Sequence, residues 1–286
     1  MQNAKPVFGQ RGVPVTNRRA ANPYTGQAEP LGGQAAFDKL TGVDDNLRAF
    51  MLGVYNYMAL GMVVTGMVAL ATYMMTVTTD PAQSFSDAEG LWPITETEYL
   101  TELGVLLWAT PLSYVVCFGP LAILLFTGSM WRNMSSGGAF AVFMVVAALI
   151  GVSFSGLALT YTNSSIAQMF FVTATAFGSL SLYGYTTGRD LSGWGSFLWM
   201  GLIGLILALI VNIFLQSDMM EFILSIVGVI VFAGFTAYDT QMIRDAYSDQ
   251  MTKEEASKTA ITGALHLYLD FINMFRFLLA LFGQEE

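Results

Sequence analysis

Asp239 and Asp270 are the residues of this chain whose type and placement carry chemistry. Each lies inside a long apolar stretch, in the segments AYDTQMI and LYLDFINMF. An isolated aspartate at the centre of a membrane helix costs roughly 2.5 to 3.5 kcal/mol to insert, so two in neighbouring stretches require a partner or a task. Two like charges in a low-dielectric site cannot both ionise easily, and carboxyls that meet there share a proton. Such a pair is a pH sensor near neutrality, and its hard oxygens suit Ca²⁺, H⁺ and monovalent cations alike. Asn273 lies three residues after Asp270 and His266 four before it, so all three project from one helical face and form a candidate polar path. Arg276 is offset from Asp270 by about 120° in azimuth, which disfavours direct pairing along the same helix.

Plainer readings stand beside these. Asp239, near a helix end, can reach the interface; His266 can be a packed polar residue; and Arg276 can snorkel outward along its apolar stem. Ala233, Gly234 and Ala237 fit close helix packing better than binding.

The elements that position these residues follow from composition. The chain has 286 residues, 54% hydrophobic and 12% charged, with a mean hydropathy of +0.55. It reads as an all-α membrane protein, because about 20 consecutive apolar residues span the hydrocarbon as a helix that satisfies its own backbone. Seven such runs are present: 49–79, 103–131, two within 133–188 broken at 161–165, 191–217, 222–243 and 259–283. By helical rise Asp239 lies roughly 7 Å and Asp270 roughly 13 Å from the same membrane face, a mismatch of ~6 Å that tilt can absorb.

Eleven of the twelve Lys and Arg residues fall on one side: Lys5, Arg11, Arg18, Arg19, Lys39 and Arg48 before the first run, then Arg132, Arg189, Arg244, Lys253 and Lys258. The opposite connections hold Asp80, Asp87, Glu89, Glu96, Glu98, Glu102, Asp218 and Glu221. The bias predicts a cytoplasmic N-terminus and an outside C-terminus. Residues 1–45, rich in Gly, Pro, Gln, Asn and Ala without apolar periodicity, read as a disordered cytoplasmic tail and not a signal peptide, and 46–286 as the transmembrane domain. Much of the net charge of −9 belongs to the outer loop and the C-terminal Glu285 and Glu286, and the loop's acid cluster reads as a solvated surface.

Other chemistries lack their residues. One histidine and one cysteine make no zinc cluster, and Cys117 has no disulfide partner and reads as a buried, inert thiol. No lysine lies within a span for a retinal Schiff base, and His266 is the sole histidine available to a serine nucleophile. Neither a phosphate loop nor a basic aromatic surface is present, so no cofactor, nucleotide or nucleic acid is expected, and the chain does not read as an enzyme.

The segments VFAGFTAYDTQMI and ALHLYLDFINMFRFLLALFG resemble the last two helices of the Bax inhibitor-1 family, also called the transmembrane Bax-inhibitor-motif family, in its bacterial branch. FGSLSLYGYTTGRDLSGWGSFLWMGLIGL (177–205) and LRAFMLGVYNYMALG (47–61) are similar too, and the likeness covers about residues 45 to 283. A paired YDTQ and LYLDFIN in consecutive spans is a specific pattern. The resemblance implies seven helices with the seventh at the centre of the other six, and a pH-sensitive calcium leak of the bacterial inner membrane controlled by a di-aspartyl pair, here Asp239 and Asp270. It also implies an arginine latch to the helix 6 aspartate, here Arg132. Arg276 departs from the family pattern by placing a cation on the central helix, and His266, Asn273 and Arg276 are candidate modulators.

Two further functions compete with the leak. Some bacterial relatives of the family are associated with inhibition of a membrane-bound ATP-dependent protease, and the N-terminal tail suits such a contact regulator as a docking segment. Proton-coupled transport of a small solute is a weaker option, since it needs a polar cavity that the sequence does not plainly supply.

Overall fold

The computed structural model describes residues 45–87, 90–91, 93–94, 97–128 and 133–284. The tail expected over 1–45 lies outside them save for Asp45, as do Arg132 and the last two residues. The described chain is almost wholly helical: α1 (Asp45–Thr76), α2 (Leu112–Gly128), α3 (Ser136–Ser155), α4 (Asn163–Thr186), α5 (Trp194–Leu215), α6 (Asp218–Ala246) and α7 (Lys253–Phe282). All but α2 are long and apolar enough to cross a membrane. Large apolar side chains such as Phe214, Met74 and Phe171 stand on their outer surfaces, 83%, 72% and 69% exposed. Apolar surface on that scale needs hydrocarbon around it.

The second apolar run is not one straight helix. Glu102–Ala109 meets Leu112–Pro120 at 68°, and the two count as a seventh span only if the bent pair is taken as one. The cause is local: Thr110 precedes Pro111 and is pushed into the extended region, at φ −110° and ψ 167°. The third and fourth runs part at residues 160–162, overlapping the break expected at 161–165. α3 ends at Ser155 and tightens into a 3₁₀ turn at Gly156–Leu159, while Asn163 opens α4 with Thr162 as its cap. Cys117 is exposed on α2 and not buried, because its apolar neighbours face outward instead of inward.

α7 is the most buried helix. Its most apolar stretch is 61% buried, against 39% in α6 and 11% in α5. Its ends are tied down by polar contacts. Thr252 and Glu255 form a reciprocal capping box at the start, which satisfies two orphan donors of the first turn. Glu254 reaches across to α3 and accepts from the Ser136 N–H at 2.6 Å and the Ser136 hydroxyl at 2.8 Å. Past the far end, the Gln284 carbonyl accepts from the Thr162 N–H, and the Gln284 N–H donates to Ser165 Oγ, both at 2.9 Å. The axial position of Asp270 is therefore held from both ends of its helix.

Candidate functional site

Asp239 and Asp270 are brought together by antiparallel neighbours joined through residues 247–252. α7 turns Ala264, Leu267, Tyr268, Phe271 and Met274 inward, and Asp270 falls within that buried face at 5% exposure. Its Oδ2 has no hydrogen-bond partner. Buried carboxylate oxygens are normally satisfied, so an orphan at this depth calls for an explanation. Asp239, on α6, has a side chain 15% exposed and lies within Coulombic reach of Asp270.

His266 occupies a different place from the one its spacing suggests. Its side chain is 55% exposed and faces α6, with Nδ1 3.8 Å from Asp239 Oδ2. Asp239 therefore stands between an imidazole and a second carboxylate. Asn273 donates to the Leu269 carbonyl one turn back, at 2.8 Å, and spends its amide on its own helix. Arg276 is exposed on the outer side of α7 and forms no ion pair with any described residue. The structure thus joins Asp239, Asp270 and His266, and leaves Asn273 and Arg276 apart from them.

Several polar residues around the pair carry structure that spacing alone does not reveal. Gln241, two residues after Asp239 and 2% exposed, accepts from the Leu191 N–H at 2.7 Å and donates to the Arg189 carbonyl at 2.8 Å. Arg244 donates to the Tyr185 carbonyl at 2.7 Å, which caps the end of α4. The YDTQMIR segment is therefore a clamp on the α4–α5 loop as well as the carrier of Asp239. Hydroxyls stitch the helices further in. Tyr55 and Ser181 are 2.7 Å apart, Ser181 and Thr240 are 3.0 Å apart, and Thr240 donates to the Thr236 carbonyl at 2.7 Å. The one sequence signal for these residues is a polar side chain inside an apolar run.

α4 and α6 touch backbone to backbone beside Asp239. A Cβ on Gly184 would collide with the Ala237 carbonyl oxygen, a contact that only glycine permits. Of the three small residues on α6, Ala237 serves this approach, and Gly234 lies against Leu198 of α5. Among the described residues no three of His, Cys, Asp and Glu converge as a metal-holding group. Two carboxylates supply a fraction of the six to eight oxygens Ca²⁺ takes.

These features define a polytopic α-helical membrane protein with a buried and a half-buried aspartate on its last two helices. The family model described as "Inhibitor of apoptosis-promoting Bax1" matches residues 47–286. An uncharacterized protein of Caulobacter vibrioides is 46% identical over 243 residues, 84% of this chain and 90% of that one. The inner membrane protein YbhL of Escherichia coli K12 is 38% identical over 242 residues, 84% and 93% of the two chains. An uncharacterized membrane protein of Streptococcus pyogenes is 31% identical over 244 residues, 85% and 96%. The chain belongs to the Bax inhibitor-1 family.

Proposed function

We propose that this protein is a pH-sensitive cation leak, with Ca²⁺ as the transported ion and Asp239 and Asp270 as its gate. The observation that carries this reading is the orphan Oδ2 of Asp270, buried within Coulombic reach of Asp239. A proton shared by the two carboxyls closes the path. Its loss frees Asp270 to offer oxygen to a partly hydrated cation, and Asp239 then needs a new counter-charge. His266 Nδ1 lies 3.8 Å away, but the counter-charge must come from a cation that persists as pH rises. Arg132, the latch implied by the family resemblance, lies outside the described residues and would act from the α2–α3 connection. Arg276 faces away from the pair and does not block this role.

In this reading the bent pair Glu102–Ala109 and Leu112–Pro120 forms one span, giving seven spans with α7 enclosed by the other six. The basic ends of the helices, at Arg48, Arg189, Arg244 and Lys253, lie in the cytoplasm of a bacterial cell, and the inner membrane is the site.

Radiolabelled calcium uptake into liposomes carrying the purified protein, at acid, neutral and alkaline pH, tests the proposal. Wild-type flux should vary with pH, and Asp270→Asn or Asp239→Asn should lose that variation. Mutants with an unchanged pH profile would overturn the gate. No flux above empty liposomes at any pH would overturn the leak itself.

A further inference from the structure

Two grooves run along the seam between α1 and α4. The inner one, about 460 Å³, is lined by Arg48, Met51, Tyr55, Phe177, Ser181 and Leu182, among others. That size is within the roughly 300 to 1,000 Å³ of small-molecule sites. Of the three hydroxyls in its wall, those of Tyr55 and Ser181 are paired, Tyr55 with Ser181 and Ser181 with Thr240, and the third belongs to Tyr185. Apart from these hydroxyls and Arg48 the wall is aliphatic and aromatic. Gly178 adds open floor, since a Cβ built there meets nothing within 4 Å.

One end of the groove carries a charge. Arg48, in the first turn of α1, is exposed and makes neither hydrogen bond nor ion pair with any described residue. Arg244, at the same end of the bundle, is by contrast spent on the Tyr185 carbonyl and Asp245. An unpaired guanidinium offers five donors in a fork that matches phosphate oxygens. An apolar slot with such a fork at its mouth is complementary to a molecule with a hydrocarbon chain and an anionic head. The outer groove, about 260 Å³, has no charged residue in its lining and lacks that complementarity.

We propose that the inner groove is a binding site for one anionic glycerophospholipid, its acyl chain against Met51, Phe177 and Leu182 and its phosphate on Arg48. The site is independent of the carboxylate pair. A lipid wedged there touches both α1 and α4, helices otherwise joined at this level by the Tyr55–Ser181 bond.

Native mass spectrometry of the purified full chain, titrated with phosphatidylglycerol or phosphatidylcholine, tests the assignment. Wild type should hold phosphatidylglycerol about fivefold more tightly, the worth of one basic residue at an anionic surface. Arg48→Gln should bring the two lipids level. Gly178→Leu, whose Cβ meets nothing within 4 Å and whose branch occupies the groove, should weaken retention of both lipids. Inorganic phosphate at millimolar concentration should leave the bound phosphatidylglycerol in place. Equal retention of the two lipids by wild type, or a preference that survives Arg48→Gln, would overturn the headgroup contact. Retention that Gly178→Leu leaves intact, or displacement by phosphate alone, would overturn the acyl-chain site. Melting temperatures of the lipid-free variants, expected to match wild type, show whether a loss of binding reflects the groove or the fold.

Discussion

The hydroxyls of Thr65 and Tyr268 lie 2.6 Å apart and join α1 to α7 two residues before Asp270. Thr65 Oγ1 is also 2.9 Å from the Ala147 carbonyl, so α3 meets the same node. Phe143 of α3 sets its ring edge against Tyr268, with centroids 5.3 Å apart. In lipid, helices gain little from burying apolar surface against one another, so a packed polar node of this kind contributes disproportionately to their register. It fixes the height and rotation of α7 where Asp270 leaves the helix.

Thr65→Val and Tyr268→Phe should therefore be coupled. Each single change breaks the same bond, and the pair should show an interaction energy of about 0.6 to 1.7 kcal/mol in a double-mutant cycle of detergent unfolding. Strict additivity would mean that the two hydroxyls do not act on each other.

Gly184→Ala should destabilise the bundle although alanine favours helix. The added methyl meets the Ala237 carbonyl oxygen, which is backbone and cannot swing aside. Overpacking costs about 1 to 3 kcal/mol, which outweighs the roughly 1 kcal/mol of helix propensity gained. A melting temperature at or above wild type would show that α4 and α6 can separate freely at this point.

The class and the positions of most spans were legible because hydrocarbon imposes one rule on length and polarity, and runs such as 191–217 obey it plainly. Asp239 and Asp270 stand out for the same reason, since they break apolar runs at a stated cost. The bend at Thr110 was missed, although the residue before a proline carries the signal, because the run 103–131 holds no charge to interrupt it. The four-residue spacing of His266 and Asp270 places them on one helical face. That spacing leaves about 40° of rotation between them. Packing uses it to turn Asp270 into the bundle and His266 toward α6. The hydroxyl contacts were not legible at all, because Thr65, Ser181 and Thr240 differ from other span hydroxyls only in which helix they meet.

Gln241→Leu should loosen the α4–α5 loop selectively. It leaves the Leu191 N–H and the Arg189 carbonyl without their partner, at a cost of about 1 to 3 kcal/mol. Trypsin should then cut after Arg189 faster than in wild type, while cleavage after Lys253, on the other side of α6, keeps its rate. Equal acceleration at both sites would indicate global loosening and remove the clamp role from Gln241.

Asp270→Leu separates stability from function. Leucine keeps the branched four-atom skeleton of aspartate, with methyls for oxygens, and removes a buried oxygen that has no partner. An unsatisfied buried polar group costs about 1 to 3 kcal/mol, so the variant should melt at or above the wild-type temperature. It should at the same time lose pH-dependent cation flux, the trade-off expected where a site keeps a destabilising group for its chemistry. Thermal unfolding in detergent, run beside the liposome assay, measures both. A melting temperature lowered as far as in a core truncation would mean that the carboxyl is a satisfied structural group, and the gate would then have to be sought at Asp239 and His266.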